Sequence, residues 1–116
     1  MREEKVFAIR FSGLYPLYLK KVVSKGRTQD ELDQVIRWLT AYDADGLQRQ
    51  VASGNDLETF FAQAPAYHPD AALVRGVVCG VRVEDVEHPL MRKIRTLDKL
   101  VDELAKGKAM DKILRR

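Results

Sequence analysis

The stretch that decides the fold is EHPLMRKIRTLDKLVDELAKG, residues 87–107. Its apolar residues recur at alternating spacings of four and three positions, namely at Leu90, Ile94, Leu97, Val101 and Leu104. This is the a/d pattern of a helix with one continuous apolar stripe. Pro89 suits the first helical position, and Gly107 suits the left-handed residue that ends a helix. The pattern predicts a long helix, whose stripe either fills the core of the monomer or forms a seam with another chain.

Capping signals predict several shorter helices before this one. Thr28 and Glu31 have the spacing of a capping box, and the residues that follow place Leu32, Val35, Ile36 and Leu39 on one face. Four further helices are predicted. Residues that favour a helix start lie at Ser12, Asp43 or Asp45, Asp56 and Pro69, and residues that favour a helix end lie at Gly26, Gly54, Pro65 and Gly80.

Two segments have the alternation or the β-branched residues typical of strands. Val6–Phe11 alternates weakly and could be a short strand or an extended lead-in, and Gly76–Val83 is its candidate partner. Apart from this ribbon, the sequence predicts a single all-α domain over residues 1–116. We expect a compact orthogonal or antiparallel array of five to seven helices, with a short extended N-terminal segment as the one exception.

Composition restricts the class of protein. The chain has 116 residues, of which 46% are hydrophobic and 32% are charged, as in one globular domain. A single cysteine cannot form an internal disulfide and favours a reducing compartment. No apolar run approaches the roughly 20 residues of a membrane span, and the N-terminus lacks the pattern of a secretory signal. We therefore expect a cytoplasmic protein with no membrane partner.

Three residues are the obvious candidates for chemistry, and none has the context that chemistry requires. Cys79 is predicted near the C-terminal end of a helix, where the helix dipole disfavours a thiolate, and we expect it in the core. His68 and His88 each precede a proline, which predicts helix-capping positions. No metal-ligand spacing and no nucleotide-binding loop occurs. We assign no catalytic, cofactor or metal residue, and keep a cleft near Cys79, Tyr67 and His88 as an enzyme alternative.

The net charge of +3 is unevenly distributed along the chain. Residues 1–30 sum to +4, residues 31–70 to −5 and residues 71–116 to +4. The basic ends could meet nucleic acid, an acidic partner or the acidic middle of the same fold. The candidate interaction residues are Lys20, Lys21, Lys25, Arg27, Lys106, Lys108, Lys112 and Arg115.

A helix-turn-helix outline around Gly26 supports nucleic-acid binding only weakly. The second helix of this outline carries Asp30, Glu31 and Asp33 in its first turn. A recognition helix presents that turn to DNA, where three carboxylates would be repelled by phosphate.

Long motifs give the chain a family resemblance. The stretches LYPLYLKKVVSKGRT, DQVIRWLTAYD, LETFFAQAP and GVVCGVRVEDVEHPLMRKIRTLDKL resemble the bacterial family called domain of unknown function 2200, over about residues 6–115. The resemblance implies a small, mostly helical, orthogonally packed fold and no activity. One departure is Ala41, where the family pattern has glycine, which leaves open whether the helix around Trp38 ends there.

These observations leave three functional hypotheses. The leading one is a non-enzymatic interaction or self-associating module without cofactors. The second is a nucleic-acid-binding protein that uses the basic N- and C-terminal segments. The third is a small enzyme with a cleft near Cys79 and His88.

Overall fold

Seven α-helices and one small hairpin make up the computed structural model, which describes residues 3–116. The helices are α1 (Glu3–Phe7), α2 (Phe11–Val23), α3 (Gln29–Thr40), α4 (Ala44–Ala52), α5 (Leu57–Ala62), α6 (Pro89–Ala105) and α7 (Met110–Ile113). The hairpin pairs β1 (Val77–Val78) with β2 (Val81–Arg82) in antiparallel fashion, and 3-10 turns at Pro69–Leu73 and Val83–Asp85 flank it. The predicted mostly helical array is confirmed.

Helix α6 lies at the centre of the packing. It contacts α1, α2, α3, α5, α7 and the hairpin. The predicted stripe is buried from Ile94 onward, with Leu97, Val101 and Leu104 fully enclosed. Leu100, which the predicted stripe did not include, is fully enclosed as well. The stripe therefore belongs to the monomer core, and the interpretation as a seam with another chain is wrong. Within residues 3–116, no helix combines the length and the apolar character that a membrane span needs.

The capping predictions largely hold. The Glu31 N–H donates to the Thr28 hydroxyl at 3.2 Å, and the Thr28 N–H donates to the Glu31 carboxylate at 3.0 Å, which completes the capping box. Asp43 caps α4 and Asp56 caps α5 through their carboxylates. Gly26 follows the end of α2 with a φ of +83°. These local signals set the boundaries of α3, α4 and α5.

The N-terminal segment differs from the prediction. Glu3–Phe7 is helical, so the strand predicted over Val6–Phe11 is wrong, and α2 begins at Phe11 with Ser12 inside it rather than as its cap. The extended feature of this segment is a single bridge between Arg10 and Asp56. Burial explains the difference, because a one-residue bridge lets the chain turn between two helices while Phe11 packs in the core.

The hairpin replaces the second half of a predicted helix. The turn that begins at Pro69 ends at Leu73, and the β-branched stretch after Gly76 folds back on itself instead of pairing with the N-terminus. Cys79 and Gly80 form the turn with φ values of +50° and +78°. Two left-handed residues are what a two-residue hairpin turn requires. Cys79 is therefore exposed at the turn, and its predicted position in the core is wrong.

Helix α3 ends just before Ala41, the position for which the family resemblance predicts glycine. Ala41 has a φ of +64°, and its N–H donates to the Arg37 carbonyl at 2.8 Å. This left-handed conformation is favourable for glycine and strained for residues that carry a Cβ. The helix therefore ends at Thr40, although alanine is not the residue best suited to the turn.

We predict that Ala41→Gly stabilises the protein. Relief of the left-handed strain should raise the free energy of unfolding by about 1 kcal/mol in urea denaturation. Ala52→Gly, at the exposed last residue of α4, is the matched control and should lower it. A lower denaturation midpoint for Ala41→Gly would contradict the assigned strain.

We predict that Thr28→Ala lowers the free energy of unfolding by about 1 kcal/mol, because α3 loses its N-terminal cap. Thr28→Ser keeps the capping oxygen and should stay close to the wild type in the same urea titration. Equal losses in both variants would show that the methyl group of Thr28, and not the cap, stabilises the helix.

Candidate functional site

The basic residues predicted at the two ends of the sequence meet in space. Helices α2 and α6 lie side by side, and the Lys21 ammonium is 3.5 Å from the Asp102 carboxylate. Just beyond α2, the Arg27 guanidinium donates to the Lys108 carbonyl at 2.8 Å. The two basic segments therefore form one surface near the C-terminal ends of α2 and α6.

Most of these residues are already paired with carboxylates. The ion pairs join Lys21 and Lys106 to Asp102, Arg27 to Glu31, and Lys108 and Arg115 to Glu103. Lys20, Lys25 and Lys112 are exposed and form no ion pair within the described residues. The predicted interaction set therefore splits into five paired residues and three free ones.

The paired residues hold the C-terminal segment on α6. Glu103 is buried, and its carboxylate accepts two hydrogen bonds from the Arg115 guanidinium, with N···O distances of 2.6 and 3.0 Å. Burial alone would raise the pKa of Asp102, but the ammonium groups of Lys106, Lys21 and Lys99 outweigh it and hold that pKa below its ordinary value. Arg27 and Arg115 are mostly buried in their ion pairs, so they stabilise the fold and are poorly placed to bind a partner. Lys21 and Lys106 are paired but remain exposed.

Cys79 lies over α6 beside a network that centres on Asp98. The Cys79 sulfur is 3.8 Å from one Asp98 oxygen, and that carboxylate also accepts hydrogen bonds from the Tyr18 hydroxyl and, at 2.9 Å, from Arg95. Partial desolvation, followed by the negative charge of Asp98, raises the pKa of the Cys79 thiol. The arrangement disfavours the thiolate that a nucleophilic cysteine needs.

Both histidines cap helical turns, as predicted. The His88 Nδ1 accepts from the Leu90 N–H at 3.2 Å, and the His68 Nδ1 accepts from the Asp70 N–H at 3.0 Å. The His68 ring also stacks on Trp38 with centroids 4.1 Å apart. In both rings the Nδ1 lone pair is therefore occupied by a backbone N–H of the turn that it caps.

The cleft expected from Cys79, Tyr67 and His88 does not assemble. Cys79 contacts Asp98, ten residues along α6 from the His88 cap, which is a rise of about 15 Å. Tyr67 lies beside Lys93 near the start of α6. Cys79 and His88 are close in the sequence but not in space, because the hairpin places the Cys79 sulfur near the middle of α6. Among residues 3–116, no three His, Cys, Asp or Glu side chains converge as a metal site.

One exposed surface of α2 was not identified from the sequence. We call Leu17, Lys20 and Val23 of α2, together with Lys25 in the turn that follows it, the α2 face. Leu17 is 64% exposed and Val23 is 54% exposed, and they are two of the five large apolar side chains that are exposed among residues 3–116. The sequence did contain evidence for this surface. Leu17 and Val23 lie outside the spacing of three and four positions that relates the buried residues of α2.

The comparisons with other proteins agree with the fold. The sequence model of a family described as "Uncharacterized protein conserved in bacteria (DUF2200)" matches residues 5–115. The crystal structure of uncharacterized protein SP1917 superimposes with a TM-score of 0.91 at 38% sequence identity, over 98% of this chain and 93% of that one. No curated protein matches the chain.

We predict that Cys79 alkylates more slowly in the folded protein than in urea at the same pH near 8. Its raised pKa leaves less thiolate in the folded state, so the pH midpoint of the alkylation rate should lie above the roughly 8.5 of a free thiol. Asp98→Asn removes the neighbouring charge and should lower that midpoint. Asp111→Asn, at an exposed site, should leave it unchanged. Rapid native labelling near pH 6 would restore the nucleophile hypothesis.

Proposed function

The chain belongs to this bacterial family of uncharacterized proteins, and we propose that it is a non-enzymatic protein-interaction module. In this proposal the α2 face binds a segment of another protein that carries apolar side chains flanked by carboxylates. The module acts in the cytoplasm, where its single free cysteine stays reduced.

The observation that carries the proposal is the exposure of two large apolar residues beside free lysines. Burying Leu17 and Val23 on a partner would contribute about 1.5–3 kcal/mol for each side chain before the costs of association. Lys20 and Lys25 are exposed and unpaired among the described residues, so they can meet carboxylates without breaking an internal ion pair. In this proposal, the apolar contacts of Leu17 and Val23 provide the affinity, and the charges of the two lysines provide the preference for an acidic segment.

An acidic partner suits the α2 face better than a second copy of the chain. A two-fold dimer brings the same patch of both subunits together. Lys20 and Lys25 of one copy would then face the same lysines of the other, and like charges placed opposite each other oppose association. The self-associating form of the module is therefore the weaker version of this hypothesis.

The two other functional classes have less support. Nucleic-acid binding needs several cations free to contact phosphate, and five of the eight candidate residues already hold carboxylates of the fold. An enzyme based on Cys79 would need a stabilised thiolate and a nearby base. The thiol pKa is raised instead, and both histidines are engaged in caps.

We predict that Leu17→Glu abolishes capture of a protein companion that the wild type retains. The tagged chain would be pulled from a lysate of its own species after nuclease treatment, and the companion should be acidic and present in stoichiometric amount. It should dissociate as salt rises, because opposite charges are screened. Leu73→Glu introduces the same charge at another exposed leucine and is the matched control, which should retain the companion.

Other outcomes of this experiment would overturn the proposal. A companion lost equally from both variants, or retained by both, would not use the α2 face. Nucleic acid in the eluate before nuclease treatment, with no protein companion, would favour the second hypothesis. A dimer in sedimentation that Leu17→Glu dissociates would make a second copy the partner.

A further inference from the structure

We propose that a cleft between the start of α6 and the segment of residues 67–72 binds a small organic anion, a carboxylate or phosphate ester on an apolar body. The proposal is independent of the α2 face, since no residue of that face lines the cleft.

The cleft has the size and the walls of a small-molecule site. Its volume is about 400 Å³, within the range of ligand pockets in proteins. Two prolines and two alanines supply apolar surface: Pro69, Ala71, Ala72 and Pro89. Both prolines open helical turns, so the backbone on each side of the cleft is rigid without a ligand.

Two cations line this apolar space without a carboxylate. Seven Lys and Arg side chains of residues 3–116 are half-buried, and five of them lie in ion pairs: Arg27, Arg95, Lys99, Lys108 and Arg115. The other two are Arg92 and Lys93, and both line the cleft. Within the described part of the chain, no Asp or Glu lines it with them. Partly desolvated cations are normally paired, so this pair indicates a place for an external anion.

Tyr67 completes the polar side of the cleft. The Lys93 ammonium lies 4.8 Å from the centroid of its ring, a cation–π contact that holds the lysine at the cleft. Burial raises the pKa of Tyr67, although Thr96 and the charge of Arg92 act against it. The phenol is therefore neutral at neutral pH and can donate a hydrogen bond to an anion.

Side chains, rather than the amides at the start of α6, would hold the anion. The His88 ring already accepts from the N–H groups of Leu90 and Met91. Arg92 supplies the planar donor group that pairs with carboxylate or phosphate through two hydrogen bonds, and Lys93 adds a point charge. The apolar walls select for a ligand with a hydrophobic body rather than a free inorganic ion.

The test uses three probes that share a benzene ring: benzoate, phenyl phosphate and neutral benzyl alcohol. Trp38 is the only tryptophan and stacks on His68, which lines the cleft, so its fluorescence should report occupancy. At least one anion should give a saturable change, and benzyl alcohol should bind at least about tenfold more weakly. Chemical shifts of the Ala72 amide give a second readout of the same titrations.

Arg92→Gln with Lys93→Gln should weaken binding of the anion at least about tenfold and leave the circular dichroism spectrum unchanged, because neither side chain has an ion pair to lose among residues 3–116. Arg82→Gln changes an exposed arginine outside the cleft and should bind as the wild type does. The proposal fails if benzyl alcohol binds as tightly as the anions, if no probe saturates, or if the double variant keeps full affinity. Leu17→Glu should retain this binding, which separates the cleft from the α2 face.

Discussion

The whole structure depends on the burial of α6, because this one helix contacts α1, α2, α3, α5, α7 and the hairpin. Its central residues Leu97, Leu100 and Leu104 are fully enclosed, so the elements around it must supply apolar surface on several sides. None of the short helices would be stable alone at four to nine residues, since isolated helices of that length are marginal in water. Their helicity is therefore a consequence of packing against α6, α2 and α3.

Local backbone chemistry made much of the fold predictable from the sequence. The capping box at Thr28, the carboxylate caps at Asp43 and Asp56, and the left-handed Gly26 depend on residues a few positions apart. Interactions of such short range can be recognised in the sequence without knowledge of the tertiary fold. Helix α6 was equally predictable from the spacing of its apolar residues, because an apolar stripe that continues through several turns is typical of a helix with one buried face.

The errors fall where a short segment has two acceptable conformations. Residues 6–11 alternate like a strand, yet the chain makes α1, a turn and one bridge at Arg10. Gly76–Val83 could have extended a helix, but its valines and the Cys79–Gly80 turn favour a hairpin that closes on itself. Cys79 is exposed because the hairpin places it in the turn. A turn position with two left-handed residues cannot be recognised from a cysteine, which is not a typical residue there.

The charged residues of α6 show why function was harder to predict than fold. In the sequence, acidic and basic residues are interspersed along the helix, a pattern typical of a helix face exposed to solvent. In space they divide, because Asp98, Asp102 and Glu103 meet cations from α2, from α6 itself and from the C-terminal segment. Arg92 and Lys93 meet prolines, alanines and a tyrosine instead. Five of the seven charged residues of α6 thus form ion pairs that hold the fold together, and Arg92 and Lys93 have no carboxylate partner among residues 3–116. Only the tertiary neighbours distinguish the two groups, so the anion site depends on the path of residues 67–72 rather than on any motif in α6.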